Sequence, residues 1–114
     1  MEKKYFGFAV ADSMFDGDCA LTRQVITPDQ VRDYLKGDVI PCLNPSHVAT
    51  IQAFQARFGD VVEIPEKPPI VKLSAGDMLV VMSVRGLPRL TDRHEYTPEE
   101  VLQAEFAFSL WTVN

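Results

Sequence analysis

The sequence predicts a single α/β domain across residues 1–114, with a mixed sheet of about five strands and three helices packed on it. Three observations carry that expectation. Thr27-Pro28-Asp29-Gln30 and Thr97-Pro98-Glu99-Glu100 each spell a helix start, with threonine as cap, proline at the first helical position and Gln or Glu three residues after the cap. Short apolar runs rich in β-branched and aromatic residues separate and follow these starts. The chain has 114 residues, 46% hydrophobic and 24% charged, which suits one core and leaves no room for a second.

Taken in order, Tyr5 to Val10 reads as the first strand. Its weak alternation fits a strand covered on both faces, and Asp12 after it argues against a secretion signal. Asp12, Asp16 and Asp18 around Gly17 read as a polar turn, because their spacing misses a calcium loop. The first helix runs from Thr27 to about Lys36, where Gly37 stops it. Another is expected from Asn44-Pro45-Ser46-His47 to Phe58, capped by Gly59, with Val48, Ile51, Phe54 and Phe58 on its apolar side. Val61 to Ile64 reads as a short strand. Ile70 to Leu73 and Met78 to Val84 flank Ser74-Ala75-Gly76-Asp77 and read as a hairpin. A short helix from Thr97 to near Ala104 and a strand from Phe106 to Val113 close the chain, giving the order β, α, α, β, β, β, α, β.

Composition narrows the function. No apolar run approaches the ~18 residues of a membrane span, so no membrane is expected. The net charge of −5 argues against loose binding to duplex DNA but leaves room for a local basic pocket. Cys19 and Cys42 are too few for a zinc site or a disulfide framework and read as buried or idle thiols of a reducing, cytoplasmic compartment. No Walker pattern, no Gly-x-Gly-x-x-Gly and no serine-hydrolase signature is present, and no cofactor or metal is expected.

Two features could carry chemistry. His47 falls in a first helical turn, among backbone N–H groups that favour a phosphate, and an imidazole there can protonate a leaving oxygen. The alternative is a plain surface histidine. Arg85, Arg89, Arg93 and His94 gather at the end of the Met78–Val84 strand, where ligands of α/β sheets bind and arginine can grip phosphate. With Asp92, Glu95, Glu99 and Glu100 nearby, the alternative is a salt-bridged loop.

In sequence order these landmarks resemble the viral ring nucleases that act as type III anti-CRISPR proteins. Phe8-Ala9-Val10-Ala11-Asp12-Ser13-Met14 stands where that family has a pattern like Asn-Ala-Phe-Ser-x-Asn-Met. His47 lies twelve residues before Gly59, the family's spacing, with Thr50 three residues after it. Ile70-Val71-Lys72-Leu73-Ser74-Ala75-Gly76-Asp77-Met78-Leu79-Val80-Val81 matches a Val-x-Val-Lys-Leu-x-x-Gly-Asp-x-Leu-x-Val stretch, and Leu87-Pro88 and the Thr97 helix complete the order. The resemblance implies a homodimer that holds cyclic tetra-adenylate across its interface. It cuts the ring without metal, a ribose 2′-hydroxyl attacking its own phosphate while the histidine protonates the departing 5′-oxygen. His47 inherits the acid role, and Ser13, Asn44, Ser46, Thr50, Lys67, Arg85 and Arg89 are the expected ligand contacts. The chain departs from the pattern at Phe8 and Ala11, where the family has Asn and Ser. It departs again at Pro68 and Gly86, where the family has arginines, and at Pro88 and Arg89 in place of a Glu. Those replacements keep open the reading of a sponge that sequesters a signalling nucleotide uncut, and the acidic charge with the proline-rich loop Pro65 to Pro69 keeps open a protein-binding module of phage or mobile-element origin.

Overall fold

The computed structural model describes residues 3–43, 47–67, 69–87 and 96–114. Along the chain come β1 (Lys4–Gly7), a 3-10 turn (Asp12–Met14), β2 (Leu21–Ile26), α1 (Pro28–Leu35), β3 (Ile40–Pro41), α2 (Val48–Phe58), β4 (Met78–Arg85), α3 (Pro98–Gln103) and β5 (Glu105–Val113). Both threonine–proline starts form full capping boxes. Thr27 Oγ1 accepts the Gln30 N–H at 3.2 Å while Gln30 Oε1 accepts the Thr27 N–H at 2.8 Å, and Thr97 with Glu100 repeats the same two distances. Gly59 closes α2 at φ 78°, its N–H bonded to the Gln55 carbonyl at 2.8 Å. Left-handed backbone of that kind favours glycine.

The five strands form one mixed sheet in the order β2-β5-β4-β1-β3, with β1 parallel to β3 and β4, and β5 antiparallel to β4 and β2. Strand alternation then sorts the side chains onto two faces. Phe6, Val80, Met82 and Phe108 meet Val31 of α1 and Ile51 and Phe54 of α2 in the main core. Phe54 is its hub, with ring centroids 5.7 Å from Phe6, 5.5 Å from Phe58 and 5.9 Å from Phe108. α3 leans on α2, where Arg57 Nη1 donates to the carbonyls of Val101 and Leu102 at 2.9 Å and of Ala104 at 3.2 Å. Among the described residues the opposite face is half covered: Met14, Phe15, Val71 and Leu73 pack over Tyr5, Leu79 and Val113.

The fold class agrees with expectation, five strands and three helices among the described residues, but two of the five strands are different segments. Residues 70–73 are not a hairpin partner of β4. Both edges of β4 are taken, by β1 and β5, so this segment crosses the sheet face and bonds its Leu73 N–H to the Met14 carbonyl at 2.7 Å. The turn after it is as expected: Gly76 has φ 90°, and buried Asp77 accepts the N–H of Ser74 at 2.8 Å and that of Lys3 at 2.9 Å. Residues 61–64 likewise make no strand. Val62 is buried and its carbonyl accepts from the Gln55 side chain at 3.3 Å.

The strands not anticipated are β2 and β3. β2 has an exposed, polar middle because it is a sheet edge, and it is extended because nine-residue β5 offers it a partner from Leu21 opposite Val113 to Ile26 opposite Phe108. β3 is a two-residue edge that tolerates Pro41. The first strand ends at Gly7, not Val10, and Val48 is exposed, not on the apolar side of α2.

Candidate functional site

His47 occupies the N-cap of α2, just beyond the ends of the parallel strands β1 and β3. It is half-buried, and its imidazole lies against the ring of Phe8, with centroids 4.6 Å apart and planes tilted by 55°. Phe8 continues β1 and packs on the main core, so His47 is anchored to the helix-covered side of the sheet. The first free N–H groups of α2 follow directly from Val48, and Thr50 stands half-buried in that first turn. The carboxyl ends of parallel strands, with a helix N-terminus beside them, are where α/β sheets present ligand sites.

The other expected contacts are dispersed. Ser13 is exposed in the 3-10 turn, and its carbonyl accepts from Lys72 Nζ at 2.9 Å. Lys72 also pairs with Asp16 at 3.1 Å, so this corner is the polar turn the sequence suggested, held by a salt bridge to Lys72. Among the described residues no cluster of His, Cys, Asp and Glu could hold a metal ion. Lys67 is exposed in the loop after Val62. Arg85 ends β4 and is exposed, but it alternates with Met82 and Val84 of the main core and therefore faces away from α2. Asn44, Ser46, Arg89, Arg93 and His94 lie outside the described residues. Described contacts thus join His47 to Phe8 and do not join it to Arg85.

Arg85 instead edges a hollow of about 660 Å³ on the uncovered half of the sheet. Its floor is made of small side chains, Ser83 opposite Ala107 and Ser109 opposite Val81 and Val25, and these leave the space that larger residues would fill. At the far end Arg23 lies over Trp111, its guanidinium carbon 5.8 Å from the ring centroid. The Trp111 Nε1–H donates to Ser109 Oγ at 3.0 Å, which fixes the indole. Sequence reasoning missed this place. Arg23 belongs to the strand that was not anticipated, and Trp111 was read only as a strand residue.

No helix of the described residues is long and apolar enough to cross a membrane. Cys19 is an exposed and Cys42 a half-buried free thiol, and burial pushes the Cys42 thiol up from 9.0 to about 11.

Fold and site together define a small mixed α/β domain with one helix-covered face and another that the described residues only half cover and that carries arginine and tryptophan. Among solved structures the chain is similar to B116 of Sulfolobus turreted icosahedral virus, with a TM-score of 0.71 and 16% identity, over 96% of this chain and 98% of that one. At that identity the likeness is one of fold. No family model and no curated protein matches the sequence.

Proposed function

We propose that this chain is a small viral protein that binds a cyclic oligonucleotide signal at the His47 end of the sheet, with His47 as the acid that protonates the departing 5′-oxygen. The observation that carries the reading is the half-buried imidazole held on Phe8 at the start of α2. There the unpaired amides of a first turn attract phosphate and the ring is steadied at the same point. The fold shared with a viral protein supports the viral origin, and a host-cell cytoplasmic location accompanies it. In this reading the chain works as a homodimer, whose two-fold axis suits a ring with its own two-fold symmetry. Thr50, Lys67, Asn44 and Ser46 are the polar contacts proposed for the ring, with Ser13 and Arg89 further contacts. Arg85 would be reached only around the end of β4.

Incubation with cyclic di-, tri-, tetra- and hexanucleotides, with and without EDTA, tests it. Binding of one ring, with cleavage that EDTA does not stop and that His47→Ala slows ~10²-fold or more, is the expected result. Absence of binding to every ring ends the proposal.

One observation favours the sponge reading. Gly86, at the place of the family's arginine, has φ 85°, a conformation that side-chain-bearing residues rarely adopt, and its neighbour Arg85 faces the open side. With glycine at the place of that arginine, binding without product formation is the outcome this reading expects, and His47→Ala then costs affinity alone.

A further inference from the structure

We propose that the uncovered half of the sheet is a second binding place, separate from the His47 end, that takes a short single-stranded nucleic-acid segment with a base on Trp111 and phosphates at Arg23 and Arg85. The inference does not rest on the His47 reading, because it uses other residues on the other face of the sheet.

The face has the shape for it. Segment 10–15 and residues 71–73 cover the β1 side and stop there, so that Val10 forms one wall of the hollow while no other described segment packs over β2, β5 and the end of β4 on this face. About 660 Å³ falls within the range of ligand cavities. The chemistry is of two kinds, a half-buried indole over whose ring Arg23 now lies, a place a base would share with or take from the guanidinium, and two guanidinium groups. Aromatic residues on an open sheet face bind unpaired bases by stacking, and arginines track the backbone. Among the described residues no carboxylate lies within ion-pair distance of Arg23 or Arg85. On a chain of net charge −5, two arginines on one concave surface, faced among its described lining residues by the single carboxylate of Glu105, leave a local positive excess that an anionic partner complements.

Length decides between a mononucleotide and a strand. Trp111 stands opposite Leu79 and Arg85 is six residues further along β4. At ~3.3 Å per residue the two are ~20 Å apart along the strand. That span exceeds a single nucleotide and holds several, since even stacked nucleotides advance by ~3.4 Å each. Glu105, the cross-strand neighbour of Arg85, is the one acidic side chain among the described residues of the rim and works against binding.

Trp111 is the only tryptophan, so its fluorescence reports this face alone. Titration with oligodeoxythymidylate of about eight nucleotides should quench it saturably, while thymidine monophosphate at the same nucleotide concentration should not. Two phosphate contacts give a salt slope of about −1.4, and Arg23→Ala or Arg85→Ala should each remove about half of it. Glu105→Gln should tighten binding. With a dye-labelled oligonucleotide followed by anisotropy, Trp111→Ala should weaken binding ~10-fold, and Trp111→Phe, which keeps a stacking ring and the packing, should retain most of it. Three results overturn the proposal: no saturable quench, equal binding of the mononucleotide, or affinities unchanged in both arginine variants. Displacement of the strand by a cyclic oligonucleotide that binds at the His47 end would overturn the separation of the two places.

Discussion

The imidazole of His47 lies on the ring of Phe8, 4.6 Å between centroids, so the first turn of α2 is tied to the residue that follows β1. Aromatic pairs of this kind contribute ~0.5–1.5 kcal/mol beyond the area they bury. Phe8→Ala should therefore lower unfolding stability by ~1–3 kcal/mol, less than a fully buried Phe would cost. The cost is read as a shift in the urea midpoint. If the ring serves the acid, any cleavage of a cyclic oligonucleotide should fall in Phe8→Ala and be largely kept in Phe8→Tyr.

Arg57 should matter to one end of the molecule only. Its guanidinium satisfies the carbonyls that the short helix α3 leaves unpaired. Arg57→Ala should cost ~1–2 kcal/mol. Its signature is faster amide exchange across residues 98–105, with α1 unaffected. Uniform loss of protection would contradict a local role.

Asp77 knots the turn before β4 to the first strand. One carboxylate oxygen accepts from Lys3 and the other from Ser74, and the residue is buried. Asp77→Ala strands both N–H groups and should cost ~2–4 kcal/mol, whereas Asp77→Asn keeps one acceptor and should cost about half of that. Equal costs would show that packing, not hydrogen bonding, sets the effect.

The two thiols should separate under a thiol reagent. The thiolate is the reactive form, so Cys42, with its thiol pushed up to about 11 by burial, should label slowly at neutral pH. Exposed Cys19 should account for the fast phase. Cys19→Ser should abolish that phase.

Alkaline pH should weaken the fold. Burial raises the pKa of Cys42, and burial is also the leading cause of the rise at Tyr34, whose hydroxyl donates to the Tyr5 carbonyl at 2.8 Å, and at Tyr5. A group whose pKa is higher folded than unfolded holds its proton more tightly in the native state, so its stability contribution is complete below the unfolded value and disappears as pH rises. Unfolding free energy should be flat below about pH 9 and decline towards pH 11. Cys42→Ala and Tyr34→Phe should each flatten part of that decline.

Helix positions were legible in the residue order because capping is a contact between residues three apart. Thr27 with Gln30, Thr97 with Glu100, and Gly59 in its left-handed cap all act without the rest of the chain. The class of fold and the place of His47 at a helix start came with them. Strand membership was not legible, since an extended segment becomes a strand only when a distant partner has an edge to offer. Polar Leu21–Ile26 found such an edge on β5, and apolar 70–73 found both edges of β4 occupied. The same pairing placed Arg85 on the face away from His47 and set Arg23 beside Trp111. Alternation along a strand gives each side chain one of two faces, but only burial of the sheet against α1 and α2 says which face is which.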